Sequence, residues 1–180
     1  MQVAYAIPIQ DDVYDEHALA IAQQSFQFAR TGNTQDLARL LRAGLPANLM
    51  NEQGDSLLML ASYQGHADTV MLLLDKGADP ETANDRGQTP LAGAAFKGNV
   101  AMMEILVEGG AQVDGVSGDG KTPLMYAAMF DQVEAVSFLL ARGADIERAD
   151  VNGVTALGLA RAMGAKRTPE LLLVARKTTH

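Results

Sequence analysis

The chain has 180 residues, 48% of them hydrophobic, and no cysteine, so it is long enough for a sizeable core but lacks disulfides and cysteine metal ligands. Fourteen Lys and Arg stand against 22 Asp and Glu, a net charge of −8. This acidic balance argues against nonspecific binding to nucleic acid or to an anionic membrane surface. No apolar run approaches the roughly 20 residues that a membrane-spanning helix needs.

Residues 1–24 are predicted to form an N-terminal arm and the start of a capping helix. Apolar residues alternate at period two, a strand-like pattern that Pro8 interrupts: Val3, Tyr5, Ile7 and Ile9. The first twelve residues are expected to be a loose tail or an arm over one end of the fold. Alternatively, they occupy the protein's own groove, or that of a neighbouring molecule, until a partner displaces them. The segment lacks the basic start of a signal peptide, which favours a cytoplasmic location.

A first helix is predicted from near Asp15 to Arg30. Its inner face is expected to carry five residues with helical spacing: Ala18, Leu19, Ala22, Phe26 and Ala29. Residues 25–53 anticipate a pattern that becomes clear later, because Gly32 and Gly44 precede Gly65 and Gly77 by 33 residues. This stretch is predicted to be an N-terminal capping repeat, since terminal repeats have one face without a neighbour and are atypical.

Residues 54–152 contain three regular 33-residue units, and residues 153–180 are predicted to form a C-terminal capping repeat with a tail. The units open at Gly54, Gly87, Gly120 and Gly153. Two residues after each glycine lies a helix-capping side chain: Ser56, Thr89, Thr122 and Thr155. The first helix is predicted to end at Gly65, Gly98 and Gly164. Asp131 takes the place of this glycine in one unit, where left-handed backbone is strained.

A second helix in each regular unit is indicated by apolar residues three and four positions apart. These are Val70, Leu73 and Leu74, then Met103, Leu106 and Val107, then Val136, Leu139 and Leu140. An extended loop then leads to the next glycine. Because one unit cannot bury its own apolar stripe, the units are expected to stack around one elongated all-α core.

The last twenty residues have the opposite charge from the rest of the chain. Five basic residues stand against Glu170, a local charge of +4, so the other 160 residues carry −12. Basic side chains near a helix C-terminus interact favourably with its dipole. The tail is therefore interpreted as the polar outer face of the capping repeat, with a docking site for an acidic partner as the alternative. The final helix is predicted to start at Thr168, before Pro169.

From about Phe26 to Val174 the chain resembles the ankyrin-repeat family. The stretches G-Q-T-P-L-A-G-A-A from Gly87 and G-K-T-P-L-M-Y-A-A from Gly120 carry the family's T-P-L signature at its 33-residue period. The resemblance implies a solenoid of stacked helix–turn–helix units joined by extended loops. The family usually has histidine after T-P-L, linking neighbouring loops. Here that position holds Met59, Ala92, Met125 and Gly158, so those hydrogen bonds are not implied.

The sequence contains no recognisable catalytic or cofactor-binding motif. None of His17, His66 and His180 has a second histidine or a cysteine at ligand spacing. His66 lies where the family commonly has a histidine and is interpreted as structural. Neither a nucleophile elbow nor a phosphate-binding loop is found. We therefore expect no enzymatic activity, cofactor, metal or small-molecule substrate.

The resemblance implies a non-enzymatic module that binds a protein partner through a concave groove. A bacterial form of this function is an immunity or antitoxin protein that covers a toxin's active site. The alternative is a regulatory or chaperone-like subunit that stabilises a partner enzyme, or a scaffold that associates with itself. Nucleic acid and membrane partners are not expected.

The family's contact positions, transferred by register, give a candidate binding site. On the helices these are Tyr63, Gln64, Phe96, Lys97, Met129, Phe130 and Met163, and on the loop tips Asp85, Arg86, Asp119 and Lys121. Three of the nine aromatic residues fall in this pair of adjacent helical positions. They are expected to form an apolar ridge along the groove, with Phe96 and Phe130 at its centre. The alternative is that they lean inward and complete the core.

Overall fold

The computed structural model describes residues 12–178, which fold into ten α-helices arranged as successive antiparallel pairs. The bounds are α1 Asp12–Thr31, α2 Thr34–Arg42, α3 Leu57–Gln64, α4 Ala67–Asp75, α5 Pro90–Lys97, α6 Val100–Glu108, α7 Pro123–Met129, α8 Val133–Ala141, α9 Ala156–Ala162 and α10 Thr168–Thr178. The predicted helix–turn–helix units are confirmed. Between residues 12 and 178 no strand forms, and only isolated bridges occur in two loops. The predicted arm and its strand-like pattern lie largely outside the described residues.

The first helix of each unit begins and ends as the sequence predicts. The hydroxyl groups of Ser56, Thr89, Thr122 and Thr155 each accept a hydrogen bond from the backbone N–H three residues further on. Pro90 and Pro123 occupy the first helical position, where a missing N–H costs no hydrogen bond. Gly65 and Gly98 end their helices in the left-handed conformation, with φ of 85° and 70°.

One continuous core runs through the stack. Its inner layer has small residues in one register, Ala61, Ala94, Ala127 and Ala160, each at most 1% exposed. The apolar stripes of α4, α6 and α8 cover this layer from the other side. Small side chains let neighbouring first helices approach closely, and these helices pack against one another more extensively than the second helices do. The first-helix layer therefore lies on the inner side of the curve and forms the concave face.

Helix α1 departs from its predicted packing at its N-terminal end. It begins at Asp12 rather than near Asp15, and Ala18 and Leu19 are exposed, Leu19 by 59%. The prediction that these two residues lie on the inner face is wrong. Ala29 and the half-buried Phe26 do pack into the core. At 20 residues α1 is longer than the eight-residue α3 against which it packs, so its first turns extend past their neighbour.

Neighbouring loops are joined although the family's usual histidine is missing. Asn51, Asn84 and Asp150 share one register, and each side-chain oxygen accepts hydrogen bonds from backbone N–H groups two and four residues further on. Backbone bonds then connect adjacent loops, for example Gly118 N–H to Gly87 O at 3.0 Å. The loop network is thus built by asparagine, aspartate and the backbone.

Side chains at the start of the second helices connect successive turns. The imidazole of His66 lies 2.8 Å from the carbonyl oxygen of Arg30 in the preceding unit. The amide of Gln132, two periods later, donates to Phe96 O at 3.1 Å. The interpretation of His66 as a structural residue is therefore confirmed.

Asp131 has a φ of 56°, the left-handed conformation predicted for it, and no other non-glycine residue in the described chain has positive φ. Its carboxylate accepts hydrogen bonds from the N–H groups of Thr168 at 2.9 Å and Arg167 at 2.8 Å. These bonds hold the pKa of the Asp131 carboxyl far below its usual range. Asp131 thus caps the start of α10 from the preceding unit, a contact that glycine could not make.

This cap should make the stability of the C-terminal repeat acid-dependent. Because the folded-state pKa lies below the ordinary value of 3.8, the stabilisation is complete above that value and is lost as the pH falls through the folded pKa. Asp131→Asn should melt several degrees below the wild type near pH 7, and the gap should narrow toward about pH 2. Thermal melts at both pH values measure this difference, and an unchanged gap would refute the cap's ionic character.

Candidate protein-binding groove

The helical contact positions lie in the last turns of the first helices and at their ends. Tyr63 and Phe130 are each 40% exposed and Met163 is 55% exposed, whereas Phe96 and Met129 are half-buried. Gln64 and Lys97 are exposed. The structure therefore places this register between the two predicted outcomes: its side chains lie outside the fully buried core, and only part of each apolar surface reaches solvent.

Phe96 and Phe130 contact each other across adjacent units. Their ring centroids are 4.4 Å apart and the ring planes meet at 73°, an edge-to-face pair. Such pairs contribute about 0.5–1.5 kcal/mol beyond the area that they bury. The contact fixes both rings at the same place on the concave face, so a partner would meet them as one preformed surface.

Lys97 and Tyr63 form a second contact between neighbouring units. The Lys97 ammonium lies 4.0 Å from the centroid of the Tyr63 ring and donates a hydrogen bond to Tyr63 O at 2.8 Å. This cation–π arrangement holds the lysine back along the groove rather than leaving it extended. A binding partner would meet a tyrosine whose ring is already partly covered by its neighbour.

A cleft of about 410 Å³ opens on the same face between α3 and α5. Its apolar lining consists of Tyr63 and Phe96 with Met59, Leu60 and Gly93, and its polar lining of Asp55, Gln64, Asn84, Arg86 and Gln88. Tyr63, Gln64, Phe96 and Arg86 are among the site residues predicted from the sequence, whereas Met59, Leu60, Asn84 and Gly93 are not. The sequence feature that could have revealed the cleft is Gly93, which interrupts a register of large side chains at Leu60, Tyr126 and Leu159.

The four predicted rim charges fall into two groups. Asp85 and Arg86 are exposed, and neither forms an ion pair within residues 12–178. Lys121, whose side chain is 17% exposed, pairs with Asp119 and lies 3.8 Å from the buried carboxylate of Asp150. In the described chain Asp85 and Arg86 are therefore open charges at the loop tip, whereas Asp119 and Lys121 are already paired with each other.

These pairings keep the charged groups of this loop ionised. The hydrogen bond to Asp119 raises the pKa of the Lys121 ammonium. Burial acts to raise the pKa of Asp119, but hydrogen bonds from Lys121 and Ser117 outweigh it and leave that pKa lowered. Backbone hydrogen bonds, that of Val154 first, likewise lower the pKa of Asp150. The loop tip is consequently an ionic cluster at neutral pH.

The described chain shows neither a metal-binding cluster nor a membrane-spanning helix. Within residues 12–178 no group of three or more His, Asp or Glu side chains is arranged to hold a metal ion. Over the same range, no helix has the length and apolar character needed to cross a bilayer.

Comparison with known proteins identifies the repeat. The family model of ankyrin repeats (3 copies) matches residues 25–116 and 109–179. An ankyrin repeat protein of Pseudomonas aeruginosa is 59% identical over 58 residues, which are 32% of this chain and 34% of that relative, so the match spans about a third of the relative's length. Ankyrin repeats generally mediate interactions between proteins and are generally non-catalytic. On the period, the helix pairs and this match, the chain belongs to the ankyrin-repeat family.

Proposed function

We propose that the chain is a non-enzymatic binding module that holds a protein partner in its concave groove. The observation that carries this proposal is the row of partly exposed aromatic and methionine side chains along successive units, with Phe96 and Phe130 preassembled at its centre. Exposed apolar patches on proteins mark interaction sites, and aromatic residues dominate binding energy at interfaces.

The charge around the groove indicates the charge of the partner that it binds. Asp85 is exposed beside the aromatic row, and residues 1–160 together carry −12. Charges of this kind raise the association rate of an oppositely charged partner more than they slow its dissociation. The proposed partner therefore presents apolar side chains within a basic surface. An inhibitor of the immunity or antitoxin type, which covers the active site of a basic toxin, is one form of this function.

Affinity purification from the native source tests the proposal. The wild-type chain and a variant in which both Phe96 and Phe130 are replaced with alanine would be used as parallel baits. We expect one protein to be retained by the wild type and lost from the variant. A toxin-like partner would support the inhibitor, and a metabolic enzyme would support the regulatory or chaperone-like alternative. Recovery of the same chain from both baits would instead support a self-associating scaffold that does not use the groove.

Reversing the charge of Asp85 should slow association. Asp85→Lys is expected to lower the association rate several-fold at low salt, with a smaller change in the dissociation rate. The difference should shrink in high salt because ions screen the interaction. Asp68→Lys is the matched control, since it makes the same change in net charge on the exposed surface of α4. Binding kinetics at two ionic strengths measure the effect, and equal slowing in both variants would exclude a role for the rim.

A further inference from the structure

Gly93 is unusual because nothing in its surroundings requires a glycine. It lies inside α5 with ordinary helical backbone, where glycine is unfavourable relative to alanine. A Cβ atom there would lie 3.5 Å from Tyr63 Cδ2 and 3.9 Å from Met59 Sδ, both normal contact distances. The glycine therefore reflects neither a strained turn nor crowding, and its effect is to leave the cleft between α3 and α5 open.

The next unit shows what fills the corresponding space. Tyr126, one period after Gly93, is 8% exposed, and its hydroxyl donates to Ser117 Oγ at 3.4 Å. The counterpart of Ser117 one period earlier is Asn84, which lines the open cleft. The cleft thus corresponds to the space that a tyrosine side chain fills in the next unit. Asn84 supplies a polar group at the position where the tyrosine hydroxyl would lie.

The charges at the cleft favour a neutral occupant. The Asp55 carboxylate accepts a hydrogen bond from the Asn84 amide at 2.9 Å, and Arg86 lines the same cleft. Within residues 12–178 the Arg86 guanidinium has no hydrogen-bond partner, so its donors remain available. An anionic side chain in the cleft would be repelled by the Asp55 carboxylate, and a cationic side chain would be repelled by the Arg86 guanidinium. A phenol avoids both conflicts and can accept a hydrogen bond from the guanidinium.

We propose that this cleft receives a tyrosine side chain of the protein partner, in the manner that Tyr126 fills the next unit. The ring would lie between Tyr63 and Phe96 and contact the sulfur of Met59, and its hydroxyl would face Asn84 and Arg86. Aromatic rings and methionine sulfur are favourable neighbours for such a ring. This inference rests on the proposed function and adds which side chain of the partner is recognised.

The test uses N-acetyl-tyrosinamide as the probe, with the NMR signal of the Met59 methyl group as the reporter. We expect a saturable shift in the wild type, and at least several-fold weaker binding of N-acetyl-phenylalaninamide, which lacks the hydroxyl. Gly93→Tyr fills the cleft from within and should abolish the shift. Met71→Tyr, which adds the same side chain at an exposed position of α4, should retain it. If the thermal melt of Gly93→Tyr shows that this variant does not fold, Gly93→Leu takes its place.

Two results would overturn the inference. One is the absence of a saturable shift in the wild type, and the other is an unchanged shift in a folded cleft-filled variant. The purified partner then separates this inference from the proposed function. If the partner binds Gly93→Tyr as tightly as it binds the wild type but fails to bind a chain without Phe96 and Phe130, the groove function stands and the tyrosine assignment is wrong. A tenfold or greater loss of partner affinity in Gly93→Tyr supports both.

Discussion

Replacing both Phe96 and Phe130 with alanine is expected to weaken partner binding by several kcal/mol while the fold remains intact. Phe130 is 40% exposed and Phe96 is half-buried, and each ring covers the other in the edge-to-face pair. Truncating both removes the centre of the proposed interface, and interface hot spots contribute energies of at least about 2 kcal/mol each. Because neither ring belongs to the fully buried core, the cost in stability should be smaller than the loss in binding.

The control for this experiment is Phe138→Ala. Phe138 lies on α8 in the second-helix layer, partly buried and with the Arg142 guanidinium 4.8 Å from its ring centroid. This variant loses an aromatic side chain of the same size away from the groove, so its binding per folded molecule should be unchanged. Calorimetric titration with the purified partner, beside thermal melts of all variants, separates the two effects. A large fall in melting temperature with unaltered binding for the double variant would show that Phe96 and Phe130 act as core residues.

Leu124→Ala should destabilise the protein by about 3 kcal/mol or more, the usual range for removing a fully buried leucine. Leu124 is 0% exposed and lies in α7, which packs against α5 on one side and α9 on the other, so neighbouring units hold the structure in place and limit collapse around the cavity. Leu19→Ala is the matched control, since Leu19 is 59% exposed on α1 and its truncation should change stability by less than about 0.5 kcal/mol. Urea unfolding of both variants gives the comparison. Equal losses would contradict the assignment of the core.

The regular units could be predicted from the sequence because their determinants are local and recur. The hydroxyl caps at Thr89 and Thr122, and the left-handed glycines at Gly65 and Gly98, each act within a few residues of their own position. The stripe of the second helices gives the buried face directly. The 33-residue period then indicates which residues occupy equivalent positions in neighbouring units. Even the strained Asp131 could be recognised, because it replaces a glycine in a known register.

What the sequence did not predict depends on where a neighbour lies in space. The spacing of Leu19 in α1 indicates a helical face but not where the adjacent helix ends, so its exposure was missed. The carboxylate of Asp131 caps a helix 36 residues further on, a contact that no local pattern encodes. Lys121 was predicted as a loop-tip binding residue, although its ammonium is paired with Asp119 and lies 3.8 Å from the Asp150 carboxylate. The cleft at Gly93 was not predicted because it forms where glycine leaves a space that a side chain fills in the other units.

The partner is proposed to occupy the concave face formed by the first helices. The most direct measurement is an amide hydrogen-exchange footprint of the isolated complex compared with the free chain. We expect added protection in the last turns of α3, α5 and α7, together with the loop around Asp85, and no added protection in α4, α6 and α8. Protection confined to α4, α6 and α8, with the last turns of α3, α5 and α7 unchanged, would contradict it.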